Sequence, residues 1–424
     1  MAAMPAHERA ALLARIAQGI EDRLPELTRL LAAENGKPVA QTREEIKAAI
    51  RIFHGFGEEA KRIFGRQIPL DAVPGLERHL AITIREPVGV VAAIVPFNYP
   101  VELYAHKAAA ALAAGNSVIV KPPEKCPLTL LEVAGIVEAA GAPAGAHTVV
   151  IGGPEVAKTL ASSPGVQLIS LTGSTAAGRE IAALAAQTLK KVQLELGGND
   201  PMIVCADADL AKATDAVILG RLARGNGQIC CAVKRIFIVE EVYDELAERI
   251  VDRTRNLIVG DPLNESTEVG PLITEAAARN VEATIRRAVQ DGATLAVGGQ
   301  RNGNFIDPTV LTDVKPDEPA LASEIFGPVA PLARVSTPDE AVHYANASEY
   351  GLHAAVFTQD ISRAFSLARQ LEAGSVVVNG STALRSENLP FGGVKQTGGT
   401  REGLHDTLLE MTEQKTIIIM EALA

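Results

Sequence analysis

Two short runs in this chain carry residue types that can do covalent chemistry. Gly227-Gln228-Ile229-Cys230 ends on a thiol, and Glu195-Leu196-Gly197-Gly198 begins on a carboxylate. A deprotonated thiol is the strongest ready-made nucleophile among side chains, and a carboxylate whose pKa is raised by burial can move protons near neutral pH. Either alone says little, because a single cysteine is most often a small core hydrophobe and a single glutamate most often solvated surface. The pairing, and the motifs around it, make a covalent enzyme the leading reading.

Those motifs follow one another along the whole chain. Val95-Pro96-Phe97-Asn98-Tyr99-Pro100 comes first, then Ala113-Ala114-Gly115-Asn116-Ser117 leading to Lys121-Pro122-Pro123-Glu124, then Leu171-Thr172-Gly173-Ser174-Thr175. After the Glu195 and Cys230 runs come Glu324-Ile325-Phe326-Gly327-Pro328 and Leu389-Pro390-Phe391-Gly392-Gly393-Val394-Lys395. In content and order this resembles the aldehyde dehydrogenases. The resemblance implies an NAD-dependent, non-acylating enzyme in which Cys230 attacks the aldehyde. It selects Cys230 over Cys231 because the reactive thiol stands two residues after the glutamine. It also implies that Asn98 and the Cys230 N–H stabilise the oxyanion, that Glu195 activates water against the thioester, and that Val95, Pro96, Phe97 and Leu196 touch the cofactor. Lys121 and Glu124 would bind the adenosine ribose, and Glu324 and Phe326 the nicotinamide end.

Physical reasons stand beside several of these roles. An alkoxide formed by thiolate attack needs donors already in place, which an amide at Asn98 can supply. A carboxylate ending a buried strand, as at Glu195, is costly unless paired or protonated. The G-x-G-x-x-G fingerprint of ordinary dinucleotide folds is missing, but Gly173 and Ser174 mark a strand-to-helix turn whose N–H groups suit a pyrophosphate. A carboxylate at Glu124 favours free ribose hydroxyls over a 2′-phosphate, hence NAD over NADP, with NADP the alternative. His106, Arg224, Arg385 and Phe391 are expected at the aldehyde entrance, the arginines suiting a carboxylate, phosphonate or phosphate tail. The substrate expectation is therefore a short polar or anionic aldehyde of the lactaldehyde or phosphonoacetaldehyde kind, with Glu413 a candidate proton relay.

Alternation of apolar runs sets the frame that must hold these residues. Val90 to Val95, Ser117 to Lys121, Thr148 to Ile151, Val166 to Leu171 and Lys191 to Leu196 read as strands, with helical stretches between them from Val101, Pro127, Glu155 and Thr175. Strict alternation predicts crossover units and a parallel sheet, and puts Asn98, Lys121, Gly173 and Glu195 at the carboxyl ends of its strands. A second α/β unit follows, with a helix over Leu210 to Arg224, strands at Met202 to Cys205, Arg235 to Val239 and Ser375 to Asn379, and a long helix around Val281 to Gln290. Arg9 to Leu31 reads as one amphipathic helical lead-in. The fold class is therefore α/β, with two doubly wound domains and a small β element: residues 1–65 and 86–196 for the cofactor, 197–405 for catalysis, 66–85 and 406–424 for oligomerisation. Ile82 to Ile84 and Thr416 to Met420 read as edge strands covered by a neighbouring subunit in a homodimer or homotetramer.

Bulk properties narrow the class without deciding it. A chain of 424 residues is long enough for two cores, and 40 basic against 51 acidic residues, net −11, argues against nucleic acid or an anionic membrane as partner. Four cysteines without C-x-x-C spacing, and histidines without H-E-x-x-H, suggest no metal and a reduced, cytoplasmic setting. Two rivals remain: a CoA-acylating relative, against which Glu195 counts because only hydrolysis needs a base for water, and a non-catalytic protein of the same fold.

Overall fold

The computed structural model describes residues 1–318 and 322–423. The cofactor-side sheet has five strands, all parallel, in the edge-to-edge order His147–Val149, Ser117–Lys121, Val90–Ile94, Leu168–Thr172, Lys191–Glu195. The first strand in sequence is central, and the chain winds outward in one direction before returning to the other side. The strand order therefore switches between Ile94 and Leu171, and a doubly wound sheet opens its ligand crevice at that point.

Behind the sheet runs Pro100–Ala113, a helix buried along its full length. Pro100 starts it at a position where no intrahelical N–H is needed. Its alanines, from Ala105 to Ala113, let Val39–Glu59 and Leu404–Glu410 approach closely. Leu404, Leu408 and Met411 join this core, so the last helix crosses the expected boundary at 405 and packs on the cofactor side.

The second sheet has seven strands in the order Thr294–Val297, Thr309–Val314, Val329–Val335, Val233–Val239, Asp200–Val204, His353–Phe357, Ser375–Val378, antiparallel only at its first pair. Val233–Val239 is buried at every residue, as expected of a strand covered on both faces.

Three expectations are corrected. The lead-in is two helices, Ala6–Asp22 and Leu24–Asn35, because Pro25 cannot donate into a continuing helix and instead occupies the first turn of the second one. Leu210–Val217 is regular helix, but Ile218–Ala223 widens into a π-helical turn and then the chain breaks, with Gly225, Asn226 and Gly227 all at positive φ (58°, 54° and 71°). The two edge runs pair with each other: Leu80–Pro87 lies antiparallel to Thr412–Ile419, with Thr83 opposite Thr416, and Gln67–Ile68 flanks them. Among the described residues one edge of Thr412–Ile419 is left open, with Ile418 and Met420 exposed. No helix among the described residues is long and apolar enough to cross a membrane.

Candidate active site

Cys230 sits at the junction of two cavities. On one side lies a cavity of about 340 Å³ at the switch point of the five-stranded sheet, walled by Phe97, Gly173, Ser174, Leu196, Glu324 and Phe326, with Pro96 and Gly197 completing it. On the other lies a small space of about 30 Å³ among Tyr99, Glu102, Arg224, Arg385 and Phe391. Cys230 and Asn98 line both. Tyr99, Glu102, Arg224 and Arg385 are in turn shared with an outer mouth of about 560 Å³. One thiol is therefore reachable from the sheet crevice and from the opposite surface.

Backbone close to the thiol is held by glycines and buried cations. A Cβ on Gly227 would come within 2.4 Å of the Gly327 backbone, so these two motif loops can touch only as glycines. Buried Arg221 ties them together by donating to Val329 O, to Ile325 O at 3.1 Å and to Gly227 O at 3.5 Å. Lys234 donates to Cys230 O, to Gly198 O at 2.7 Å and to Glu324 Oε1 at 2.7 Å. Asn98 Nδ2 donates to Gln228 O at 3.0 Å, which fixes the amide beside the thiol. The loop of Asn98 rests on a buried pair that sequence reasoning missed: Lys37 bonds Glu45 and donates to Asn98 O at 2.7 Å, while Glu45 Oε1 accepts from Val101 N at 2.8 Å.

The thiols of Cys230 and Cys231 hydrogen-bond each other and titrate as a pair. That bond, then burial, hold the Cys230 thiol well above the usual range, while the same bond, with His353, Arg224 and Arg385 near, draws Cys231 down to about 5.

Glu195 is where the sequence put it along the chain, at the end of Lys191–Glu195, but its carboxyl faces neither cavity beside the thiol. It lies in a separate polar pocket with Lys107, Thr400 and Glu402, where Thr400 Oγ1 donates to Oε1 at 3.0 Å and Oε2 is buried without a partner among the described residues. Burial first, then the Glu402 charge, raise its pKa well above the ordinary carboxyl value. Burial pushes Glu402 up too, but Lys107, His106 and Arg385 outweigh it and hold Glu402 down at about 2. The pocket thus drives the two carboxyls in opposite directions, Glu195 up and Glu402 down.

The remaining expected residues divide. Val95 is buried, donates its N–H to Lys121 O at 3.1 Å and does not line the crevice. Lys121 donates to Pro122 O at 3.2 Å, with burial lowering its pKa, and Glu124 is exposed beside Lys125. Ser174 caps Thr175–Ala186 by accepting from Ala177 N, so a helix N-terminus opens on the crevice. Phe97 and Phe326 meet edge to face at 5.8 Å. A helix N-terminus, a carboxylate and two aromatic faces around one crevice fit a dinucleotide.

Two entrance expectations are corrected. His106 lies beside the mouth, but both ring nitrogens are sealed from solvent and burial drives its pKa to about 3, so it presents no polar atom to a ligand. Arg385 is already taken: Nε is 3.3 Å from Glu102, its other end bonds Glu402, and its plane lies 4.1 Å over Phe391. Arg224 differs, since it donates to Ala383 O at 2.6 Å and to Tyr99 Oη at 3.3 Å and forms no ion pair with a carboxylate among the described residues. Glu413 pairs with Lys191 at the surface, away from the Glu195 pocket. Glu402 and Lys107 hold the position that Glu413 was expected to take; Glu402 stands in the Arg401-Glu402-Gly403 run after the last motif, while Lys107 is a lone lysine in the apolar run Ala105 to Ala113.

Residues 1–417 match the family described as Aldehyde dehydrogenase family. The chain belongs to that family. It is 39% identical to a 3-sulfolactaldehyde dehydrogenase of Priestia aryabhattai, over 97% of this chain and 86% of that one, and 39% identical to a lactaldehyde dehydrogenase of Methanocaldococcus jannaschii, over 98% and 89%. The solved glyceraldehyde-3-phosphate dehydrogenase GapN of Methanocaldococcus jannaschii, complexed with NADP, superposes with a TM-score of 0.94 at 39% identity, covering 99% of this chain and 91% of that one. This aldehyde dehydrogenase is thus an NAD(P)-dependent oxidoreductase with two α/β sheets facing one crevice.

Proposed function

We propose that the enzyme oxidises a short polar or anionic aldehyde to its carboxylic acid on Cys230, with NAD preferred over NADP. The observation that carries this is the position of Cys230 and Asn98 on the wall shared by the dinucleotide crevice and the inner cavity. Substrate enters by the mouth and meets the thiolate there. The sulfur adds to the aldehyde carbon, the carbonyl electron pair moves to oxygen, and the Asn98 amide and Cys230 N–H donate to that oxyanion. A dinucleotide held in the crevice by the Ser174 turn, Phe97, Glu324 and Phe326 would supply the hydride acceptor, and Cys230 would then carry the acyl group as a thioester. Glu195 then turns from its polar pocket toward the thiol, takes a proton from water, and the hydroxide displaces the thiolate to give the acid. Glu195 then releases that proton to solvent water, with Lys107 favouring its ionised form and Glu402 its protonated form.

Arg224 is the anion-binding side chain in this reading, because Arg385 already carries two carboxylates. The names of the relatives, a sulfonated and a plain lactaldehyde dehydrogenase, support the substrate class. Glu124 at the ribose end supports NAD. Residues 1–65 with 86–196 serve as the cofactor unit, on which Leu404–Glu410 also packs, the rest of 197–405 as the catalytic unit, and 66–85 with Thr412–Ile419 as the oligomerisation unit of a cytoplasmic homodimer or homotetramer, the open edge of Thr412–Ile419 being the surface a second subunit covers.

The test mixes protein and NAD with neutral, hydroxylated, carboxylated and sulfonated aldehydes and follows reduced nicotinamide, with Cys230→Ala as control. Turnover by the parent and none by the variant is expected. An inert parent across the panel would sink the reading. Arg224→Ala should lower kcat/KM for anionic aldehydes roughly tenfold more than for propanal.

A further inference from the structure

Whatever reaches Cys230 from the mouth passes Glu102. This residue lies in the first turn of Pro100–Ala113, is 8% exposed, and lines both the inner cavity and the mouth. A carboxylate on the wall of an aldehyde channel is an unusual expense, since desolvating it is costly unless something donates to it. Among the described residues its one ion pair is with Arg385 Nε at 3.3 Å, Arg224, Lys37 and Glu45 acting on it only at longer range, and none of them hydrogen-bonds its oxygens. A carboxylate offers about four acceptor positions, so most of its capacity remains and the space beside it is the channel.

We propose that Glu102 is a specificity-determining residue that accepts a hydrogen bond from a hydroxyl on the carbon next to the aldehyde, so that the enzyme takes short hydroxyaldehydes ahead of their deoxy counterparts. This rests on the reading that Cys230 is the site of aldehyde attack. The inner cavity is small, about 30 Å³, and both Glu102 and Cys230 line it, so a group meeting Glu102 there is close to the carbon the thiol attacks. The polarity of the surroundings selects a hydroxyl over an ammonium. Arg224 and Arg385 line the same cavity, and a cationic substrate would have to approach both guanidiniums to reach one carboxylate. A hydroxyl donates to Glu102 without that repulsion, and an acidic group farther along the substrate can still meet Arg224.

The test compares kcat/KM for lactaldehyde, propanal and 3-aminopropanal in the parent, Glu102→Leu and Glu102→Gln. In the parent, lactaldehyde is expected to exceed propanal at least tenfold, because a hydroxyl left out strands a buried acceptor. Glu102→Leu should reduce that ratio at least tenfold, while Glu102→Gln, whose amide oxygen still accepts, should keep it within about threefold. A residue that merely held Arg385 in place would lower both substrates together and leave the ratio alone. Folding is checked by a cooperative melt, and Glu102→Ala replaces the leucine variant if that one does not fold. A parent ratio near one, an unchanged ratio in the apolar variant, or preference for 3-aminopropanal overturns the proposal. No aldehyde oxidation at all by the parent overturns the functional reading instead, so the two failures are distinct.

Discussion

Lys37→Met removes the cation from beneath the Asn98 loop and leaves Glu45 with 1% exposure and no counter-charge. Breaking a buried ion pair by removing one partner costs about 3–5 kcal/mol, because the remaining charge is stranded. Two donors stay behind, Val101 N at 2.8 Å and Glu102 N at 3.4 Å, so the lower end, about 3 kcal/mol, is expected. That is roughly a hundredfold in the folded-to-unfolded ratio. Asn98 O also loses its donor at 2.7 Å, and kcat should fall about tenfold with little change in the KM for NAD. Urea unfolding of the parent, Lys37→Met, Glu45→Leu and the double variant measures the pair directly. The double variant should be less destabilised than the two single losses added, by at least about 1.5 kcal/mol, since removing both charges strands neither. Additivity within about 0.5 kcal/mol would show that the two side chains do not act as a pair, and the account of how Asn98 is held would fall with it.

Other expectations follow from the carboxyl pocket and the ribose end. Because Glu195 is raised above its unfolded value, the stability it contributes is complete below the ordinary carboxyl range and is lost as pH rises through the raised value; calorimetry should find Glu195→Gln melting higher than the parent at pH 8 and alike at pH 4. Glu402→Gln removes a charge that raises Glu195 and Lys107→Met one that lowers it, so the acidic limb of the kcat profile should move to lower pH in the first and higher pH in the second, and movement in the same direction would refute the coupling. Glu124→Ala should raise the NADP-to-NAD ratio of kcat/KM about tenfold, measured with saturating aldehyde.

Much of the crevice was legible along the chain because local chemistry specifies it. Short apolar runs alternating with helical stretches required a parallel sheet, and four of the chemistry-bearing positions fell at strand ends by counting alone. Glycines were legible too: Gly227 is needed where two loops touch, and Gly173 where a strand turns into a helix. Several central elements were not legible. Val39–Glu59 carries Glu45 beneath the Asn98 loop, and the charges on that helix look like an ordinary solvated face until the helix is packed. The strands Val329–Val335, buried except at Arg334, and His353–Phe357, buried throughout, sit inside the second sheet and are identified by their neighbours rather than by periodicity, since buried strands have no alternation to read.

The entrance shows where one dimension stops being enough. Residue type and order along the chain determined that this protein holds a thiol, an amide and a carboxylate in a family's succession, and that they lie near strand ends. Which arginine lacks a carboxylate and which is held by Glu102 and Glu402, whether a histidine offers a nitrogen or hides it, and which way Glu195 points were decided only by tertiary packing. Charge pairing and desolvation act over a few ångströms between residues as far apart in sequence as Glu102 and Arg385, and nothing local records the distance between them.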